Sequence, residues 1–366
     1  MNIQYLFIAI VGYFFLSYLL FIFVGKSDVA ISNAVSDELL TSYKIDILRG
    51  ILAYFVVLGH GVLLVNFTIG KPWWPSLLSF RGYNNLAAIA VDCFFILTGY
   101  LFYKYNNGNV QLLSFFKKRF LRIYPAYLVS IVLVLIYIHD KSNITISDTL
   151  NLALFNTAAV DLNLSKYHAA LYFHYWSLKI EILFYMIFPV IIWLNKYLSG
   201  ILKYLFLMGM AVVFDYHFIY FALGFLIHSY QNKWLFPSFF THWTYGLFSV
   251  PMLILYNYAS FNFHSVVFLI IKIILYTIFF IFILRVKIPL KFLHLTRPYI
   301  FLGKVSYSLY LTHGLSLVLT YEILKFLDYS FIGITHIIYS MPIITMLTLI
   351  CFYLGEVHYL RFKKAT

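Results

Sequence analysis

Apolar residues run in blocks of about twenty along this chain, and the polar residues collect between the blocks. The blocks fall at about 3–24, 46–66, 84–103, 123–139, 173–194, 199–214, 216–230, 240–257, 264–284, 300–325 and 337–356. A helix of ~20 apolar residues spans a ~30 Å hydrocarbon core. Helices also satisfy every backbone N–H and C=O where no water is present. The pattern therefore predicts an all-α polytopic membrane bundle of about eleven transmembrane helices. The 199–230 region reads either as one kinked pair or as two short helices around Asp215.

Composition agrees with lipid as the solvent. Of 366 residues, 63% are hydrophobic and 11% charged, against about 25% charged in ordinary globular domains. The net charge of +13 does not call for nucleic acid, because membrane proteins concentrate Lys and Arg in cytoplasmic loops. Counted by alternate sides of the expected spans, nineteen Lys and Arg fall on one side, Lys117, Lys118, Arg119 and Arg122 among them, and five on the other. Lys179 and Lys272 fall within spans. The crowded side is read as cytoplasmic, which puts the N-terminus outside and the C-terminus inside. Residues 3–24 lack a basic segment ahead of the apolar run and read as a span rather than a secretory signal. Cys93 and Cys351 both lie in apolar segments and frame neither a disulfide scaffold nor a cysteine zinc site. The longest external connection is about 140–172.

Ionisable groups at membrane depth are costly and mark function by default. Asp46, Arg49 and His60 open this inventory. Arg49 and His60 are eleven residues apart, about 20° past three full turns and about 16 Å along a helix. One face then carries an arginine at the membrane surface and a histidine near the midplane. Arg119 and Arg122, three apart, present two guanidiniums on one face, a fork suited to phosphate. Taken alone, the pair is more simply read as positive-inside anchoring. His174, Ser177 and Glu181 share a face, with Glu181 about 12 Å below the external surface. Such a carboxylate needs a partner, and a histidine on a facing helix is the expected one. Ser306, Tyr310 and His313 share another face, His313 lying about 20 Å in from the cytoplasmic end. Asp92 is a buried acid, Gly99 reads as a packing position, and Lys272 has no evident role. Lys179 is read as a structural partner for an acidic neighbour.

These stretches together resemble acyltransferase family 3. "DILRG" with a histidine ten residues on is similar to the family's first motif through Asp46, Arg49, Gly50 and His60, with Ile47 where glycine is usual. "VDCFFILTGYLF" resembles its second through Asp92 and Gly99, with Thr98 where serine is usual. "KKRFLRIYPAY" matches through Arg119, Arg122 and Pro125. "HYWSLKIEILFY" matches through His174, Trp176, Ser177, Leu178 and Glu181. "VSYSLYLTHGL" matches through Ser306, Tyr307, Tyr310 and His313. The resemblance covers 46–313 and implies a core of about ten spans. Residues 1–45 then hold one extra helix and its connector, 46–356 the acyltransferase domain, and 357–366 a cytoplasmic tail. The external hydrolase-like domain of some members is not expected.

The resemblance implies an O-acyltransferase of a bacterial inner membrane. Acetyl-CoA, or another acyl-CoA, is its cytoplasmic co-substrate, and a glycan or lipid-linked saccharide its acceptor. Membrane lipids are the other partner; nucleic acid, a permanently bound cofactor and a metal are not expected. Arg49, Arg119 and Arg122 are the expected donor-binding residues. His60 is the expected general base or transient acyl carrier, oriented by Glu181. Asp46, Asp92, His174, Trp176, Ser177, Ser306, Tyr310 and His313 are expected to support them. A polysaccharide flippase, or a membrane glycan polymerase, is the competing class, since transporters also set charged groups in membrane cavities.

Overall fold

The computed structural model of the chain describes residues 3–24, 37–68, 78–105, 111–141, 144–156, 160, 171–194, 206, 209–230, 266–286, 295–329 and 335–357. The expected span at 240–257, most of 199–214 and the tail beyond 357 lie outside the described residues. Among the described residues all regular structure is helical. We number the helices α1 (Ile3–Val24), α2 (Asp37–Thr68), α3 (Leu78–Phe102), α4 (Leu112–Ile138), α5 (Ile146–Ala153), α6 (Trp176–Leu194), α7 (Phe218–Tyr230), α8 (Val266–Arg285), α9 (Arg297–Lys304), α10 (Ser306–Phe326) and α11 (Thr335–Cys351), which ends in a π-helical turn at Phe352–Glu356. Among the described residues, six helices are long and apolar enough to cross a membrane: Leu39–Leu64, Leu86–Tyr105, Leu112–Ile138, Trp176–Trp193, Val267–Arg285 and His336–Glu356.

The helices outrun their apolar cores. The chain is already helical at Leu112, so Arg119 and Arg122 sit inside α4 rather than ahead of it. The expected single span at 300–325 is two helices, broken at Val305 (φ −91°, ψ 5°). The break adjoins the seat of α9. A Cβ on Gly303 would collide with the Asp46 carbonyl oxygen, so α9 lies backbone-to-backbone on α2. The 140–172 connection also holds an unforeseen helix, α5. Thr145 and Asp148 close a reciprocal capping box at its start, and Tyr127 ties it to α4 by donating to the Leu152 carbonyl at 2.6 Å.

The order of packing places the site. α7 lies on α3, α3 on α2, α2 on both α9 and α10, and α10 on α11. The crossing of α3 and α7 is close on both sides: a Cβ on Gly99 would strike the Phe221 carbonyl, and one on Gly224 the Ile96 carbonyl. Gly99 is thus the packing position its sequence context suggested, the small-residue device by which helices approach closely in lipid. α1 lies outside this core. It packs on α9 and α11, and Tyr13 stacks on Tyr299 at 5.5 Å.

Candidate functional site

A cavity of about 120 Å³ opens between α2, α3, α4, α6 and α10. Arg49, Arg119, Arg122, Glu181, Ser306 and Tyr310 line it, with Ser177, Tyr185, Tyr307 and the aromatic wall of Phe94, Phe95 and Phe102. Five separated sequence motifs thus meet in one space. Arg49 is held by Asp46, one turn back on the same helix, at 3.8 Å. Arg122, Asp46, Glu356 and Glu181 are the charges around it. Arg119 lies over the Phe102 ring at 4.4 Å, a cation–π contact, and its Nη2 donates to the Tyr105 hydroxyl at 3.3 Å. Its buried Nε has no hydrogen-bond partner, and neither has the buried Oγ of Ser306. Two polar groups of the cavity wall are therefore unsatisfied. The N-terminus of α10 faces the same space through Ser306 and Tyr307, and a helix N-terminus favours negative charge.

Beside the cavity stand three histidines. His60 Nδ1 and His313 Nε2 are 2.7 Å apart, and His313 Nδ1 is 2.7 Å from the Tyr310 carbonyl. A carbonyl only accepts, so His313 carries its proton on Nδ1 and its lone pair on Nε2. His60 must then donate from Nδ1, which makes Nε2 its basic nitrogen. The chain of bonds runs carbonyl, His313, His60, and it fixes both tautomers. His174 packs on His313 with ring centres 4.4 Å apart and donates from Nε2 to the Leu311 carbonyl at 3.1 Å. Tyr310 joins histidines and cavity. Its hydroxyl donates to the His174 carbonyl at 2.6 Å, and Ser177 Oγ lies 2.6 Å from that hydroxyl. Tyr310 has one proton and has committed it, so Ser177 donates to Tyr310.

The expected pairing of Glu181 with His60 is corrected by this arrangement. Glu181 lies in the arginine-lined cavity and accepts from the hydroxyl of Tyr185. The error was one of depth. The turn at Phe173–Tyr175 lies at the level of His313. Residue 174 therefore meets His60 and His313, and residue 181, two turns further along α6, reaches the arginines. His60 itself is not among the cavity-lining residues, although Arg49 and His60 both turn toward α10, as their spacing required.

Asp92 is buried away from the arginines. Its Oδ2 lies 2.8 Å from Lys272 Nζ and accepts from the Tyr276 hydroxyl at 2.7 Å. That pair gives the unassigned Lys272 its partner and joins α3 to α8. Lys179 is exposed on α6. Two further residues were missed from the sequence. Tyr185 extends the face of Ser177 and Glu181 by one more i, i+4 step, and that spacing was the available signal. Glu356, in the π-helical turn, accepts from the N–H of Ser308 at 2.8 Å and from its hydroxyl. A carboxylate at the end of the last apolar block was the signal there.

The family model described as the acyltransferase domain matches residues 42–356. No curated protein and no solved structure matches the chain.

Proposed function

The chain belongs to acyltransferase family 3, and on that premise we propose that it moves an acetyl group from cytoplasmic acetyl-CoA to a hydroxyl of a cell-surface glycan or lipid-linked sugar. The observation that carries the reading is the arginine-lined cavity with two unsatisfied buried donors, Arg119 Nε and Ser306 Oγ. Phosphate oxygens are acceptors only, matched in charge and geometry to guanidinium forks and to a helix N-terminus. The donor's phosphates occupy this end, and the thioester points toward His60, about 16 Å along α2 from Arg49.

At the thioester, His60 Nε2 takes the proton of the acceptor hydroxyl as its oxygen attacks the carbonyl carbon. The tetrahedral intermediate collapses, the C–S bond breaks, and the CoA thiolate recovers the proton from the imidazolium. If His60 instead carries the acetyl group, Nε2 attacks the carbonyl carbon first and the C–S bond breaks to release CoA thiolate; the sugar hydroxyl then attacks the acetyl carbon, the C–N bond to Nε2 breaks, and the hydroxyl proton passes to the thiolate. Both routes place positive charge on His60 in the transition state. His313 stabilises that charge by accepting the Nδ1 proton, the role first expected of Glu181. Glu181 holds the arginines apart and balances their charge until the donor arrives. This chemistry has a donor inside and an acceptor outside, which suits a multi-pass protein of a bacterial plasma membrane. A flippase or a glycan polymerase has no evident use for a tautomer-locked histidine pair beside a phosphate site.

The test is binding of radiolabelled acetyl-CoA to the purified full chain, with release of CoA thiol as the readout of turnover. We expect saturable binding, weakened by Arg119→Ala and by Arg122→Ala, with Lys at either position rescuing only in part. A protein that binds no acetyl-CoA sinks the proposal. Comparing O-acetyl groups on surface polysaccharide with and without the protein then identifies the acceptor.

A further inference from the structure

A second polar cluster lies at the end of α6 remote from the arginines, and the mechanism above does not use it. Between residues 209–213, which are helical, and α7, the chain turns through Asp215, Tyr216 and His217. The Asp215 carboxylate accepts from the backbone N–H of His217 at 2.9 Å and also from its ring Nδ1. That bond puts a proton on Nδ1, and in the neutral ring Nε2 is then an acceptor. The ring is buried, 5.1 Å from the indole of Trp176 and 5.4 Å from the ring of Phe95. Phe95 also lines the cavity, and Trp176 directly precedes the cavity-lining Ser177. Asp215 remains about a third exposed, Trp176 is half-buried and Tyr216 is exposed. One turn of α3 below Phe95 stands the Asp92–Lys272 pair, with Tyr216 in electrostatic reach of both. An indole face, a carboxylate and a tautomer-locked imidazole thus stand together, open on one side and touching the cavity wall on the other.

We propose that Trp176, His217 and Asp215 form the acceptor subsite, and that it takes a hexopyranoside ring. An aromatic platform covers the apolar C–H face of a sugar. The carboxylate and imidazole then accept hydrogen bonds from its hydroxyls, and Phe95 and Ser177 lead from the ring toward the cavity. This subsite rests on the acyltransferase reading, since only a hydroxyl acceptor gives it a purpose. The competing account is local: Asp215 caps the turn into α7, and His217 merely packs.

The full chain in nanodiscs is titrated with the methyl glycosides of glucose, mannose and N-acetylglucosamine while indole emission is followed. The chain has six Trp, so Trp176→Phe identifies the reporter. We expect a saturable change with at least one glycoside, lost in Trp176→Phe. Affinity should fall roughly tenfold or more in His217→Gln and in Asp215→Asn, the size of one charge-assisted hydrogen bond. Asn caps as well as Asp, so unchanged affinity in Asp215→Asn would leave Asp215 a cap and overturn the subsite. No saturable change with any of the three glycosides, or one that survives Trp176→Phe and His217→Gln alike, overturns it as well. Acetyl-CoA binding is measured on the same samples. Its retention in every variant shows that they are folded, and its absence in the unaltered protein counts against the donor reading instead.

Discussion

Removing the imidazole of His313 separates the two possible supporters of His60. In the structure His313 Nε2 accepts a hydrogen bond from His60 Nδ1 at 2.7 Å, whereas Glu181 sits among the arginines. A hydrogen bond to a charged group is worth about 1.5–3 kcal/mol, and this one becomes charge-assisted only once His60 is cationic in the transition state. His313→Ala should therefore lower kcat roughly ten- to hundredfold. The KM for acetyl-CoA should hold, because His313 does not line the cavity. His313→Gln retains a carbonyl acceptor and should recover part of the loss. Glu181→Gln should behave in the opposite sense, raising KM with a smaller change in kcat. His60→Gln removes the base itself, a loss commonly of about 10²–10⁴-fold. The assay is CoA thiol release by membranes containing the native acceptor, at matched protein level. If Glu181→Gln cut kcat as deeply as His60→Gln while His313→Ala left it within twofold, the histidine chain would not be the mechanism.

How far the site could be read from sequence depended on whether a residue's partner lay on its own helix or on another. Periodicity put Arg49 and His60 on one face, Ser177 and Glu181 on another, and Ser306 and Tyr310 on a third, and all three faces meet in the structure. Helical geometry alone fixes those relations. What periodicity does not contain is the depth at which one helix stands against the next. Helical spacing alone therefore sets Glu181 two turns from its depth in the structure and points to α6, whereas the hydrogen-bond partner of His60 stands on α10. Lys272 and Asp92 lie 180 positions apart in a chain with many polar residues inside spans, so nothing local could pair them. The break at Val305 was equally hidden. It stands next to the contact between Gly303 and the Asp46 backbone, a tertiary approach that an apolar run spanning both helices does not reveal.

Three further perturbations test the frame around the site. Lys272→Met leaves the Asp92 carboxylate buried with its ionic partner gone, at a cost of about 3–5 kcal/mol; thermal unfolding of Lys272→Met with Asp92→Asn should recover much of it, and strict additivity of the two losses would refute the pairing. Gly224→Val drives side-chain atoms into the Ile96 carbonyl and should lower the unfolding temperature far more than Gly209→Val, where a Cβ meets nothing within 4 Å. Finally, a chain lacking residues 1–36 should keep its donor affinity. α1 supplies no residue to the cavity, and the family match begins only at residue 42. Its removal uncovers Tyr54 and Met341, both buried and both beside Gly12 of α1. Lipid chains are as apolar as the helix they would replace, so the loss is one of packing rather than of hydrophobic burial. We therefore expect a lower unfolding temperature in detergent and an unchanged KM for acetyl-CoA. A truncated protein that inserts normally yet no longer binds acetyl-CoA would show that α1, through its seat on α9, sets the position of Arg49.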